Sequence, residues 1–302
     1  MRHVLSDFNL SPSDTAAILE LSSKIKADIP SYSDAMRGKT LMMFFELASL
    51  RTRVSFEAGM NQLGGNAIFY SIEGGRFTRD EAMEDGVKNT SRYCDFIMAR
   101  VLKQEIMERM GASSEVPVIN GMTEAYHPCQ TLADLLTIKE KKGRLTGVKL
   151  TYVGDGGCNT ANSTMIGGTR AGLDVTVACP DDPKYSPSPA IVGKLRGKVK
   201  IVHDPAEGVW DADVIYTDVA VSAGMEAEKA ARVEAFKGFQ VNAKLISAAK
   251  KGAIVMHCLP AHIGYEITRE VMDSPQSVVF DQAENRMHAQ KGLLVWLQQV
   301  NR

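Results

Sequence analysis

Residues 41–57 read Leu-Met-Met-Phe-Phe-Glu-Leu-Ala-Ser-Leu-Arg-Thr-Arg-Val-Ser-Phe-Glu, an apolar run that leads into a polar segment with two arginines. The run at 41–45 is short and aromatic, which predicts a buried strand. The segment after Arg51 predicts a helix with Ser49 as its N-cap. The apolar positions of this helix would be Val54, Ala58 and Leu63. A strand that leads directly into a helix is typical of parallel α/β sheets.

The start of this helix is a candidate anion site. Its hydroxyls, backbone N–H groups and two guanidinium groups would gather at the positive end of one helix, which is a suitable place to hold a phosphate. A capped helix that carries solvated arginines would have the same sequence. This segment alone does not separate the two interpretations.

The bulk composition limits the classes of function. The chain has 302 residues, enough for two domains of about 150 residues each. A net charge of −1 gives no reason to expect nucleic acid or an anionic membrane as partner. No apolar stretch approaches the roughly 20 residues that span a bilayer, and no secretory segment is present, so we predict a cytoplasmic protein. The five cysteines form no CxxC pair, which argues against a structural zinc site or a disulfide framework.

Strand and helix patterns alternate along the chain, which predicts α/β domains with doubly wound parallel sheets. A basic stretch at 140–147 has the composition of a domain boundary. We therefore predict one domain at 1–139, with a C-terminal helix at 284–302 packing back on it, and a second at 147–283. The other predicted strands are 66–70, 96–99, 116–121, 149–155, 174–180, 199–203, 212–217, 253–257 and 277–281.

Polar residues at the carboxyl ends of the first-domain strands are candidate ligand contacts, because ligands bind there in open α/β sheets. Besides the segment at 49–52, these are Arg100, His127 and Gln130. Arg100 closes an apolar strand, so its charge must find an anion or water. His127 could donate to a carbonyl oxygen, or it could be a capping or satisfied surface group.

The second domain offers the loop 154–159, then Asp218, Ser222 and His257–Pro260. The glycines of the loop do not have GxGxxG spacing, so dinucleotide binding is not expected. Asp218 at a strand end suits an ammonium group, although an Asx turn is an alternative. Neighbouring residues on a strand point to opposite faces, which argues against activation of the Cys258 thiol by His257. The spacing of His, Cys and Asp predicts no metal site.

Five motifs taken in chain order resemble the carbamoyltransferases, and within them those that act on ornithine. They are Ser49-Leu-Arg-Thr-Arg, His127-Pro-Cys-Gln, Asp218–Glu226, His257-Cys-Leu-Pro and Asp281–His288. The resemblance implies two α/β domains joined by interdomain helices and a homotrimer with active sites between subunits. It also implies transfer of the carbamoyl group of carbamoyl phosphate to the δ-amine of L-ornithine, in arginine metabolism, without a metal or organic cofactor.

The resemblance also implies roles for individual residues. Arg100, His127, Cys258 and Asp218 would be catalytic. Phosphate would be held by Ser49, Arg51 and Thr52. The carbamoyl group would be held by Arg100, His127 and Gln130. Arg286 would be a further ligand of carbamoyl phosphate. The acceptor would be bound by Asn159, Asp218, Ser222, Ala223, Cys258 and Leu259. Arg76 would be a contribution from a neighbouring subunit.

The chain departs from the family pattern at several positions. Leu50 replaces a threonine of the first motif and Leu47 stands where lysine is common. In the acceptor motifs the replacements are Cys158 for asparagine, Ala220 for tryptophan and Ala223 for methionine. Related enzymes that act on putrescine or acylated ornithines differ in the same regions, so these acceptors are alternatives to ornithine. A catalytically silent member of the family is a third interpretation, against which the complete set of donor residues argues.

Overall fold

The computed structural model describes residues 1–72, 81–221 and 226–302. The strands are β1 (Thr40–Phe45), β2 (Asn66–Ser71), β3 (Phe96–Arg100), β4 (Val118–Met122), β5 (Lys149–Val153), β6 (Asp174–Ala178), β7 (Val199–Val202), β8 (Val214–Thr217) and β9 (Ile254–His257). The helices are α1 (Pro12–Ala27), α2 (Leu50–Gln62), α3 (Met83–Thr90), α4 (Gln104–Ser113), α5 (Pro128–Lys142), α6 (Asn159–Arg170), α7 (Pro189–Val192), α8 (Pro205–Val209), α9 (Lys229–Ala235), α10 (Ala243–Ile246), α11 (Arg269–Met272) and α12 (Val279–Val300). These elements form two compact units, one of Met1–Leu136 with Glu284–Arg302 and one of Thr137–Ala283.

The first unit is built on a parallel sheet of four strands in the order β2-β1-β3-β4. The register pairs Phe45 at the end of β1 with Arg100 at the end of β3. Val4 extends the sheet by a parallel bridge to Ile119 of β4. Leu41, Met43 and the two phenylalanines of β1 are buried, as the aromatic run predicted.

Helix α2 begins where the sequence indicated, but its buried face is different. Val54 is half exposed, whereas Leu63 is fully buried just beyond the helix end. The residues that α2 buries are Thr52, Ser55, Phe56, Gly59 and Met60. The apolar spacing was misleading because polar and small residues share the inner face with Phe56 and Met60. At Gly59 this face meets Met287 and Lys291 of α12.

The second unit contains a parallel sheet of five strands in the order β7-β6-β5-β8-β9. Val153, Ala178, Ile215 and Val255 of the strands contribute to one buried cluster. Phe236 and Phe239, which follow α9, pack into the same cluster. Both sheets are thus parallel with helical connections, and the prediction of a two-domain α/β fold with doubly wound sheets is confirmed.

Two secondary-structure predictions need correction. The strand expected at 277–281 is a single bridge from Ser277 to Val255, followed by α12 from Val279. The β-branched Val278 and Val279 favour a strand by propensity, and their tertiary setting overrides it. Helix α4 was not predicted, although Met107 and Met110 form its buried side at helical spacing. No helix in the described ranges is long and apolar enough to cross a bilayer.

Candidate active site

The sheet of the first unit has its strand order reversal at β1 and β3. From β1 the chain moves outward to β2 and then returns across β1 to place β3 on its other side. Loops that leave two such strands separate and open a crevice at their carboxyl ends. Ser49 follows β1 and Arg100 ends β3, so both residues lie at this edge.

Ser49 caps α2, as predicted. Its backbone is extended, with φ −156°, and its Oγ accepts a hydrogen bond of 3.3 Å from the Thr52 N–H. The same hydroxyl donates to Thr52 Oγ1 at 3.1 Å. Arg51 lies in the first turn, half-buried, while Thr52 is buried. The helix end therefore presents backbone donors, hydroxyls and a guanidinium group in one turn.

Arg286 connects three helices of the first unit. From α12 its Nη1 donates to Gln130 Oε1 of α5 at 2.7 Å, and its Nη2 donates to Thr52 Oγ1 of α2 at 3.2 Å. The Gln130 amide in turn donates to Asp134 Oδ1 at 2.8 Å. Arg286 is only 3% exposed, so its charge is held rigidly beside the start of α2.

His127 lies just before α5 and is buried near the guanidinium groups of Arg286 and Arg100. Burial lowers the pKa of His127 well below its usual value, and the nearby charges of Arg286 and Arg100 lower it further. The imidazole is therefore neutral near pH 7. A neutral imidazole can donate one hydrogen bond to a carbonyl oxygen, and the two guanidinium groups favour an anion beside it.

In the second unit the order reversal lies at β5 and β8. The loop after β5 ends at Cys158, whose sulfur accepts a 3.4 Å hydrogen bond from the Ala161 N–H and so caps α6. The Tyr152 hydroxyl lies 3.1 Å from the same sulfur. Asn159 is the first residue of α6 and is half-buried. Cys158, a residue that departs from the expected pattern, is thus the N-cap of α6.

Asp218 follows β8 and meets the loop after β9. The Cys258 thiol donates to Asp218 Oδ1 at 2.9 Å, and the Val219 N–H donates to the same oxygen at 2.7 Å. Asp218 is 8% exposed and borders a cavity of about 340 Å³ whose apolar wall includes Phe236 and Phe239. A carboxylate beside an apolar cavity suits the ammonium group and alkyl chain of an amine.

His257 supports the loop that carries Cys258 and Leu259. Its Nε2 lies 3.1 Å from Glu266 Oε1, and its Nδ1 accepts a 2.9 Å hydrogen bond from the Leu259 N–H. Leu259 has a φ of 58°, an unfavourable left-handed conformation that this contact helps to hold. These contacts agree with the prediction that His257 does not activate the neighbouring thiol.

Asp218, His257 and Cys258 each offer a metal-ligating atom, and these atoms lie within 4.8 Å of one another. Both ring nitrogens of His257 already make hydrogen bonds within the protein. An ion at this position would have to break one of them. The absence of a metal site stays a prediction.

The structure thus brings together Thr52, Gln130 and Arg286 in the first unit, near Ser49, Arg100 and His127, and it joins Asp218 to Cys258 in the second. Ser222, Ala223 and Arg76 lie outside the described residues. One buried group of the second unit was missed from sequence: Arg232 of α9, which pairs with Asp155. No local motif signals this pair, because 77 positions separate its members.

Comparison with known proteins gives matches over nearly the whole chain. The family model described as the carbamoyl-P binding domain of aspartate/ornithine carbamoyltransferase matches residues 2–140, and that of the Asp/Orn binding domain matches residues 146–297. An ornithine carbamoyltransferase of Mycolicibacterium smegmatis is 44% identical, covering 98% of each chain.

Solved structures give the same result. The ornithine carbamoyltransferase of Pyrococcus furiosus superposes with a TM-score of 0.91 at 46% identity, over 97% of this chain and 96% of that one. A variant of N-acetyl-L-ornithine transcarbamylase is less similar, with a TM-score of 0.86 and 28% identity over 98% of this chain and 100% of that one.

Proposed function

Since the chain belongs to the aspartate/ornithine carbamoyltransferase family, we propose that it transfers the carbamoyl group of carbamoyl phosphate to the δ-amine of L-ornithine, with L-citrulline and phosphate as products. The observation that carries the proposal is the buried Arg286, hydrogen-bonded to Gln130 and Thr52. A guanidinium group held beside the start of α2 can add charge-assisted hydrogen bonds to an anion bound at that helix end. The similarity to ornithine carbamoyltransferases names the substrate class.

The first unit binds the donor in this proposal. Ser49, Thr52 and the N–H groups at the start of α2 accommodate the phosphate, and Arg51 adds charge to that site. Arg100 and the neutral His127 donate to the carbamoyl oxygen, which becomes negative as the carbonyl is attacked. Gln130 orients Arg286 and meets the carbamoyl amide.

The second unit binds the acceptor. Asn159 and Asp218 contact the amino-acid end of ornithine, where the Asp218 carboxylate attracts an ammonium group. Cys258 and Leu259 lie at the site of the attacking δ-amine, which Cys258 and Asp218 orient. An alkylammonium has an ordinary pKa of roughly 10.4, so it must first release a proton to solvent before it attacks. The amine nitrogen then forms a bond to the carbamoyl carbon, the carbon–oxygen bond to phosphate breaks, and phosphate leaves with the electron pair. The proton that the new amide loses is accepted by the departing phosphate.

An assay of phosphate release from carbamoyl phosphate tests this proposal. We expect release that depends on L-ornithine, together with formation of L-citrulline. Putrescine, N-acetylornithine, N-succinylornithine and aspartate are the competing acceptors. Faster turnover with one of these would replace ornithine in the proposal, and no amine-dependent release with any of them would contradict it in favour of a silent family member.

We further propose a homotrimer, acting in the cytoplasm in arginine metabolism. The family resemblance supports the oligomer, and so do exposed apolar side chains of the first unit. Leu50 and Val54 of α2 are 76% and 50% exposed, and Ile68 and Tyr70 lie exposed on the edge strand β2. Apolar side chains on an edge strand call for cover. Light scattering that gives the mass of a monomer would contradict the trimer.

A further inference from the structure

Arg232 is a buried cation of the second unit that the proposed chemistry does not use. It is 3% exposed, although it belongs to a short surface helix, α9. Its guanidinium carbon lies 5.1 Å from the ring centre of Tyr185 and 5.5 Å from that of Phe236. A charge this deeply buried requires specific partners.

Besides an ion pair at 3.6 Å with Glu228, four residues earlier in the chain, these partners lie on two different loops. Nη2 of Arg232 donates to the carboxylate of Asp155, and Nε donates to the carbonyl oxygen of Ala220 at 2.5 Å. Asp155 lies in the loop between β5 and α6, and Ala220 lies in the loop after β8. These are the loops that leave the two strands at the order reversal of the sheet. One planar guanidinium group therefore links both sides of that crevice.

The first loop transmits this contact to Asn159. Asp155 Oδ1 accepts a 2.9 Å hydrogen bond from the Gly157 N–H, and the Gly156 N–H donates to the Tyr185 carbonyl at 2.9 Å. A Cβ on Gly156 would lie only 2.8 Å from Pro187 Cδ, so the loop is closely packed. Its path fixes where α6 begins, and Asn159 is the first residue of that helix.

The second loop transmits the contact to Asp218. The Ala220 carbonyl that Arg232 holds is two residues beyond Asp218, and the carboxylate of Asp218 itself accepts from the intervening Val219 N–H. The chain between Asp218 and Ala220 is thus anchored at both ends. Burial raises the pKa of Asp155, and the hydrogen bond and charge of Arg232 oppose that rise.

We propose that Arg232 is a positioning residue for the amine acceptor, fixing the placement of Asn159 relative to Asp218 through Asp155 and Ala220. It acts through these residues and does not touch the substrate. The inference rests on the proposed function, which assigns Asn159 and Asp218 to the acceptor. It predicts that loss of the two Arg232 hydrogen bonds weakens binding of the amine acceptor and leaves binding of carbamoyl phosphate unchanged.

The test compares Arg232→Lys and Asp155→Asn with the wild-type enzyme. A lysine retains the charge but cannot reach two loops with a rigid fork, and asparagine retains the shape of the carboxylate without its charge. We expect each variant to raise KM for ornithine at least tenfold, with KM for carbamoyl phosphate changed less than twofold.

Lys250→Met is the matched control. Lys250 pairs at 2.9 Å with Asp213, which immediately precedes β8, whereas Asp218 and Ala220 follow that strand. We expect it to leave both KM values unchanged. A merely structural role of Arg232 would lower the melting temperature and the active fraction of enzyme without separating the two KM values.

Two results would overturn the inference in an active enzyme: both variants with KM for ornithine within twofold of wild type, or both substrates affected equally. If either variant fails to fold, the other decides the outcome. If the wild-type protein is inactive with ornithine but active with another amine, only the proposed acceptor is contradicted. The KM values of the variants and of the wild type are then compared with that amine. Inactivity with every acceptor contradicts both proposals.

Discussion

Arg51 and Arg53 lie two residues apart at the start of α2, but the structure gives them different surroundings. Arg53 pairs with Glu57 at 2.9 Å and lies over the Phe69 ring at 3.9 Å. Arg51 belongs to the turn that Ser49 caps. This difference makes Arg53 a control for Arg51 within the same helix.

We predict that Arg51→Met raises KM for carbamoyl phosphate about 10- to 100-fold, because a hydrogen bond to a charged group contributes about 1.5–3 kcal/mol. Arg53→Met should change this KM less than twofold. Steady-state kinetics with carbamoyl phosphate as the varied substrate measures both. Equal effects of the two substitutions would contradict the assignment of Arg51.

His127 gives a prediction about pH and stability. Burial, with Arg286 and Arg100, lowers its pKa in the folded state, whereas in the unfolded chain it is about 6.5. As pH falls below about 6.5 the unfolded state binds the proton first, so stability that is present above that pH is lost. Burial also lowers the pKa values of His3 and His288, and both groups remain in a variant at position 127.

We therefore expect His127→Asn to lose less unfolding free energy than wild type between pH 7 and pH 5. Urea denaturation at the two pH values gives the difference for each protein, and the shared histidines cancel in the comparison. Identical pH dependence would show that His127 titrates normally in the folded state.

At the scale of the element, two N-cap serines allow the effect of a cap on stability to be distinguished from its effect on ligand binding. Ser11 caps α1 and Ser49 caps α2, each through its hydroxyl. We predict that Ser11→Ala and Ser49→Ala each cost about 1 kcal/mol of stability. Only Ser49→Ala should also raise KM for carbamoyl phosphate. Denaturation curves and kinetics of both variants test this, and an equal kinetic effect of Ser11→Ala would contradict it.

The packing of α12 against α1 depends on Gly292. A Cβ at this position would lie 2.8 Å from both the carbonyl oxygen of Ile18 and the backbone nitrogen of Ser22, so one helix would have to move. We predict that Gly292→Ala destabilises the protein by about 1–3 kcal/mol. Gly252→Ala, where a Cβ meets nothing within 4 Å, should be nearly neutral. Melting temperatures of the two variants measure the difference.

Elements whose signals are local were predictable from sequence. The aromatic run of β1 and the cap Ser49 gave the first strand, the start of α2 and a candidate phosphate site. Residues 277–281 were misread because two valines favour a strand, whereas the chain needs α12 there. Helix α4 has a weak local signal, because its buried side consists of two methionines and a glycine on a mostly polar segment.

At the scale of the whole molecule, the residues proposed to bind carbamoyl phosphate are far apart in sequence. Arg286 reaches Gln130 across 156 positions and Thr52 across 234. No local pattern predicts such contacts, and the resemblance alone assigned Arg286 to the donor site. Arg232 had neither a pattern nor a motif, so only the folded chain indicates its importance.

Ligand binding should stabilise the protein by mass action. At 100 times its Kd, carbamoyl phosphate would contribute about 2.7 kcal/mol if it binds only the folded state. We predict a melting temperature that rises with carbamoyl phosphate in wild type and does not rise in Arg286→Met. Differential scanning fluorimetry over a concentration series measures this. A similar rise in the variant would remove Arg286 from the donor site.

The first unit is discontinuous: residues up to Leu136 are completed by Glu284–Arg302. On the ribosome its sheet emerges well before the helix that bears Arg286, because the whole second unit separates them in the chain. The second unit is one continuous segment and can become compact earlier. Anion-binding competence should therefore arise only after the second unit has been synthesised, so a message cut short before this helix yields a product unable to hold the proposed phosphorylated substrate.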